Sequence, residues 1–297
     1  MDWIAWIESF LPEFSARRLL IVGTLILTPI LLALRFISQR FVPVEGGQYL
    51  DKQSLRGQAW SLLNNISLAL MNALFWVVIL GGVYNTLAVA DQQDWFWRLP
   101  PADETWMAGW PLILQSLVVI ALLDFKKYWA HRLMHSRLGW PIHALHHSDR
   151  HMNFATGLRI HFLEGIFRSL CAVTILGWLN LPVIPVAMGG IFILWYSCYL
   201  HSELPWTHGP VRRLLASPDY HRWHHADIPE AYGKNLCLVF PVFDIVFGTY
   251  YDPGPCRTPI GVKDMRDDFI SGQAYPFIVA GKWISARFSR PKSEGRI

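Results

Sequence analysis

Charge is scarce in this chain. Asp, Glu, Lys and Arg make up 16% of its 297 residues, while 53% are hydrophobic. Ordinary soluble domains carry about 25% charged residues, so the composition favours a membrane protein. The net charge of +4 is modest, and the basic residues sit beside apolar runs. That placement points to membrane topology and away from nucleic acid. Cysteine is scarce too. Cys171, Cys198, Cys237 and Cys256 form no CxxC pair. This excludes a cysteine-held iron–sulfur cluster, and the thiols read as reduced packing residues in a reducing compartment. No GxGxxG fingerprint occurs, and HRLMH has Arg132 where the zinc-protease pattern needs Glu. The amino-terminal stretch MDWIAWIESFLPEF is acidic, so no cleaved signal peptide is expected.

Apolar runs and tryptophan are abundant. Spans are expected at 19–37, at 61–85 (with Asn64, Asn65 and Asn72 as links between helices) and at 110–123. The runs 166–181 and 183–200, hinged near Asn180, Pro182 and Pro185, read as two full spans or as a re-entrant hairpin. An interfacial helix is expected at 274–287. The fold class is all-α: a multi-pass membrane helical bundle of about four or five membrane segments, with a cytoplasmic histidine-rich helical cap. Three regions are expected: 1–107 (amino-terminal membrane helices), 108–255 (helical, with the histidine-rich stretches) and 256–297 (a cytoplasmic or interfacial tail). The positive-inside rule places 35–60, 125–165 and the carboxy-terminal portion in the cytoplasm and 86–107 outside. The same rule makes the chain a multi-pass integral membrane protein with its histidine-rich stretches on the cytoplasmic side.

The chain has twelve histidines, and six of them fall between Asp124 and His151. His131 and His135 stand in HRLMH, His143, His146 and His147 in HALHH, and His221, His224 and His225 in HRWHH. Residues three or four apart share a helix face, so each box should present its imidazoles together. Burying many such groups is costly unless something ligates them. Eight imidazoles without thiolate are too many for one structural zinc. A bis-histidine haem cytochrome would need histidines facing each other across spans, not adjacent pairs at one surface. Two iron ions fit best, since such a site can bind O2 and attack an unactivated C–H bond. A non-catalytic metal sensor, the haem cytochrome and a metal transporter remain as alternatives.

The three boxes, with HHSDRHMN, RIHFLEG, YLHSELPW, SPDYHRWHH and FGTYYDP between and after them, resemble the fatty acid hydroxylase / sterol desaturase superfamily of membrane di-iron enzymes. The likeness runs over about 120–251 and is greatest to the bacterial sterol-desaturase-like branch. It implies that the eight box histidines ligate metal. It also draws in His161 and His201, although Phe162 and Glu203 replace the Pro and Asn that the pattern carries beside them. Asp124, His151 and Asp227 are candidates for supporting bonds around the ligands, with Asp244 similarly open. For Asp124 the choice is between orienting His131 and pairing with Lys127. The resemblance implies two iron ions, which zinc can replace in purified protein, and O2 as co-substrate. The substrate is a hydrophobic lipid such as a fatty acyl chain or a sterol-like molecule, hydroxylated or desaturated. Electrons must come from a separate donor, a ferredoxin or a cytochrome with its reductase.

Overall fold

The computed structural model describes residues 60–68, 99–262, 265 and 268–288. The expected span at 19–37 and most of that at 61–85 lie outside the described residues. Among the described residues the regular elements are all helices, with no strand; one isolated bridge joins Ala226 and Ile260.

The longest helix among the described residues, α1 (Leu112–Met134), has 23 residues, about 34 Å at 1.5 Å per residue. It carries the expected third span straight into the first histidine box, with no break at Asp124. A short turn follows, and α2 (Trp140–His147) has Pro141 in its first turn, where a missing N–H costs nothing. Gly139 makes this turn possible. A Cβ there would lie 2.3 Å from the Leu133 carbonyl oxygen and 2.6 Å from Met134 Cα.

Two antiparallel helices form the apolar hairpin. The first, α3 (Phe162–Leu179), ends on Asn180 in the left-handed region, and α4 (Val183–Leu200) starts after Pro182. Each has 18 residues and is long and apolar enough to cross a membrane by length and composition. Leu170, Ile175, Trp178, Ile184 and Phe192 are exposed on their outer surface. The inner face of α4 packs on α1, where Gly189 lets the backbone approach Val119 and Leu123. Two short helices, α5 (Pro218–His224) and α6 (Val242–Val246), and the longer α7 (Phe269–Phe288) complete the cap.

The hairpin has two chemically different ends. At its turn, the N–H groups of Leu99 and Ala102 donate to the carbonyls of Trp178 and Asn180, each at 3.0 Å. The opposite end carries His161 before α3 and His201 after α4. The described part of 86–107 therefore sits at the far end of the hairpin from the histidines.

Asn65 is a link between helices, as its type suggested. Its amide donates to Asp149 (2.8 Å) and accepts from Arg159 (3.1 Å). Arg159 is wholly buried and also donates to the Leu145 carbonyl and the Ser148 hydroxyl. This network ties the helical segment 60–68 to α2.

The Gly139 turn generates a prediction. Gly139→Ala should lower stability by about 1–3 kcal/mol through overpacking and reduce metal uptake by shifting α2 against α1. Melting temperature and metal content of the purified variant test this. A wild-type melting temperature would show that the turn yields freely.

Candidate metal centre

Nine of the twelve histidines gather into two adjoining groups. His131, His135, His143, His147 and His224 form one, and His146, His201, His221 and His225 the other; within each group the candidate ligand nitrogens lie within 4.8 Å of one another. All are buried except His135, which is half-buried. The division runs through the boxes. In HALHH, His143 and His147 serve one group and His146 the other. In HRWHH, His221 and His225 go together and His224 crosses over. Residues four apart stay together, while the residue between them turns about a third of a helical turn away. The expectation of one shared face per box is refined accordingly: α2 and α5 each wall both groups. The rings of His147 and His225 meet at the seam, 4.4 Å between centroids.

Hydrogen bonds fix the tautomers. The Nδ1 atoms of His131, His146, His201 and His224 face the carbonyl oxygens of Leu236 (2.8 Å), Arg159 (3.1 Å), Ser197 (2.6 Å) and Lys234 (2.7 Å). His143 Nδ1 faces Glu164 Oε1 at 2.9 Å. A carbonyl or carboxylate oxygen only accepts, so in each ring Nδ1 carries the hydrogen and Nε2 presents a lone pair. These lone pairs then point at one another. His131 Nε2 lies 3.0 Å from His143 Nε2, and His146 Nε2 lies 3.1 Å from His201 Nε2. Neither contact is a hydrogen bond between neutral rings. A proton or a metal cation must sit between them.

Burial disfavours the proton. It pushes His201 and His224 down to about 3, and His146, His147, His221 and His225 well below the ordinary imidazole value. Further ring nitrogens, His135 Nε2, His224 Nε2 and both of His225, are buried with no hydrogen-bond partner. Lone pairs aimed at a common point, in neutral rings of fixed tautomer, are the donor set that a borderline divalent metal takes.

The matches to known proteins agree with this geometry. Residues 116–249 match the family described as fatty acid hydroxylase. The match covers 134 of the 297 residues. The match contains every residue of both imidazole groups. Among curated relatives, an ornithine lipid hydroxylase of Rhizobium tropici is 29% identical over 184 residues, covering 60% of this chain and 54% of the relative. An alkylglycerol monooxygenase of Danio rerio is 33% identical over 150 residues, covering 49% and 31%. A methylsterol monooxygenase of Arabidopsis thaliana is 27% identical over 147 residues, covering 46% and 48%. The chain thus spans about half the length of the first and third of these relatives and a third of the second. No solved structure matches the chain.

Within the fatty acid hydroxylase segment, two buried carboxylates hold the backbone that holds the rings. Asp124 accepts from the N–H groups of Leu238 (2.9 Å), Val239 (3.1 Å) and Phe240 (2.7 Å). Asp244 accepts from those of Leu236 (2.9 Å) and Cys237 (2.8 Å) and from the hydroxyls of Thr249 and Tyr220. Between them they pin the loop whose Leu236 carbonyl orients His131. Asp124 therefore does not bond His131 directly, as one expectation had it; it positions the residues that do. Three other candidates lie elsewhere. His161 is in neither group: its Nδ1 accepts from the Leu163 N–H (3.1 Å) as the cap of α3, and its Nε2–H donates to the Gln273 carbonyl (3.1 Å). Both ring nitrogens are thereby used. The backbone N–H of His151 donates to Asp149. Asp227 accepts from the Tyr232 hydroxyl (2.8 Å) at a cavity of about 560 Å³ that opens onto His135, His147, His224 and His225.

Sequence reasoning missed Glu164 and Arg159. The available signal was a charge inside an apolar stretch, which demands a buried partner.

Two predictions follow from the ring geometry. His201→Ala should lose metal, whereas His161→Asn, which can still cap α3, should keep it; elemental analysis of both variants decides, and metal loss from His161→Asn alone would reverse the assignment. Acidification should destabilise the metal-free fold. Imidazoles of the unfolded chain protonate near 6.5, whereas His201 and His224 resist until about 3 when buried. Between those values the unfolded state binds more protons, so stability is lost as the pH is lowered across that window and is unaffected by these rings above it. Melting temperature against pH measures this, and a flat profile from 6.5 to 4 would contradict it.

Proposed function

We propose that this protein is a membrane-bound, O2-dependent di-iron monooxygenase that hydroxylates an unactivated C–H bond of a lipid. The observation that carries the reading is the pair of adjoining imidazole groups whose lone pairs face one another. His131, His135, His143, His147 and His224 would hold one ion, and His146, His201, His221 and His225 the other. His161 is left out of the set, because both its nitrogens are engaged. Irons bound there would supply O2 activation and the power to oxidise a C–H bond. One oxygen atom enters the lipid and the other leaves as water, with two electrons from a donor and two protons balancing the reaction.

The chain's own residues do the remaining work. Backbone carbonyls hold each imidazole in the tautomer that offers Nε2. The cavity beside His135, His147, His224 and His225 receives the reacting part of the lipid, with Trp140 and Tyr232 on its walls. The exposed apolar surfaces of α1, α3 and α4 face the hydrocarbon from which the substrate arrives. The hairpin is read as two full spans, with the histidine end cytoplasmic. The region 108–255 is read as the catalytic unit. The curated relatives are named as a hydroxylase and monooxygenases of lipids, which supports hydroxylation over desaturation. The electron donor is a separate ferredoxin, or a cytochrome with its reductase.

Protein purified in mild detergent should contain about two irons per chain, in line with the two imidazole groups, and show no Soret band. Lipids of expressing cells should gain one oxygen in a species absent from controls. One metal or none, or a haem spectrum, overturns the mechanism. A lipid that loses two hydrogens instead replaces hydroxylation with desaturation.

A further inference from the structure

His143 is held differently from its neighbours. His131, His146, His201 and His224 donate to neutral backbone carbonyls, whereas His143 donates to the Glu164 carboxylate at 2.9 Å. Both side chains are wholly buried. Glu164 Oε1 is also paired with Arg168, one helical turn along α3. Its other oxygen, Oε2, is buried with no hydrogen-bond partner. His143 itself is central. Its Nε2 lies 3.0 Å from that of His131 and 3.2 Å from that of His147, and its ring stacks on His146 of the second group at 5.1 Å.

We propose that Glu164 is the charge-bearing positioning residue of the metal centre: it raises the donor strength of His143 and offsets the positive charge of the bound ions. This rests on the reading of the imidazole groups as metal sites. The physical argument has two parts. A carboxylate accepting Nδ1–H draws the proton towards itself and leaves more electron density on Nε2, whereas an amide carbonyl does so less. Two divalent ions in neutral imidazoles place a large positive charge in a buried site, and the carboxylate in contact with the ligand set is the counter-charge nearest to hand. The same arithmetic explains a buried carboxylate oxygen without a hydrogen bond: its compensation is the charge of Arg168 on one side and of the loaded centre on the other. Coupling of this kind is reciprocal, so metal stabilises Glu164 as Glu164 stabilises metal.

The test uses the full-length protein in detergent, stripped of metal and titrated with Co(II) against a competing chelator. Glu164→Gln keeps the shape and the acceptor oxygen but removes the charge. It should bind Co(II) about 10–100-fold more weakly and shift the visible ligand-field bands. A purely orienting hydrogen bond would move neither, so wild-type affinity with a wild-type spectrum overturns the proposal. If Glu164→Gln does not fold, Glu164→Asp decides: it keeps the charge but withdraws it from Nδ1, and it should weaken binding about tenfold. Wild-type affinity and spectrum in that variant also overturn the proposal. Failure of the wild-type protein to take up any metal would instead remove the metal-centre reading itself.

Discussion

Lone pairs of neutral imidazoles repel when they are aimed at one another, and this chain buries several that are. His131 faces His143, and His146 faces His201, nitrogen to nitrogen at about the distance of a hydrogen bond that has no hydrogen to form it. Each buried polar atom left without a partner costs about 1–3 kcal/mol. The arrangement is therefore unfavourable until a cation occupies the space between the rings. What resists rotation of the rings is the set of Nδ1–H bonds on their outer sides, made to the backbone and to Glu164. The remainder of the cap exists to keep those acceptors still.

How that is achieved can be followed along α1. Asp124, Tyr128, His131 and His135 lie at helical spacing on one stripe. Asp124 grips the N–H groups of 238–240, Tyr128 meets the Thr249 hydroxyl at 3.0 Å, and His131 reaches the Leu236 carbonyl. The stripe thus stitches the helix to a segment more than a hundred residues downstream, between 236 and 249. Asp244 holds the same loop from the other side and takes the Tyr220 hydroxyl just before His221. A displaced loop would misalign rings from the first and third boxes together. Removing either carboxylate would leave several buried N–H groups without acceptors, one of the costlier defects a buried site can carry.

Much of this was legible in the order of residues. The i, i+3 and i+4 spacing of the boxes announced shared helical faces, and the apolar run into HRLMH announced a helix continuing past Asp124. The break at Asn180 and Pro182 announced the hairpin. Other features had no local signature. Asp124 carries helix-end chemistry in sequence, and its partners at 238–240 are visible only after folding. The resemblance draws in His161 as another ligand; that its second nitrogen is already engaged depends on where α7 brings the Gln273 carbonyl. The sorting of each HxxHH box between two groups depends on which helix faces α2 and α5, which spacing alone leaves open.

That sorting has a consequence for how the centre acts. Because α2 and α5 contribute rings to both groups, neither group can assemble with its neighbour left unbuilt. The first box, on α1, serves one group only, and His201, at the end of α4, completes the other. One site is therefore anchored to α1 and the other to the end of the apolar hairpin, with two short helices shared between them. The cavity opens at their seam, onto His135, His147 and His224 of one group and His225 of the other. His135, the least enclosed ring, borders this opening, while His143 and Glu164 lie buried behind it. The imidazole groups are thus open on the cavity side, and His143, which does not line the cavity, is backed by the buried Glu164.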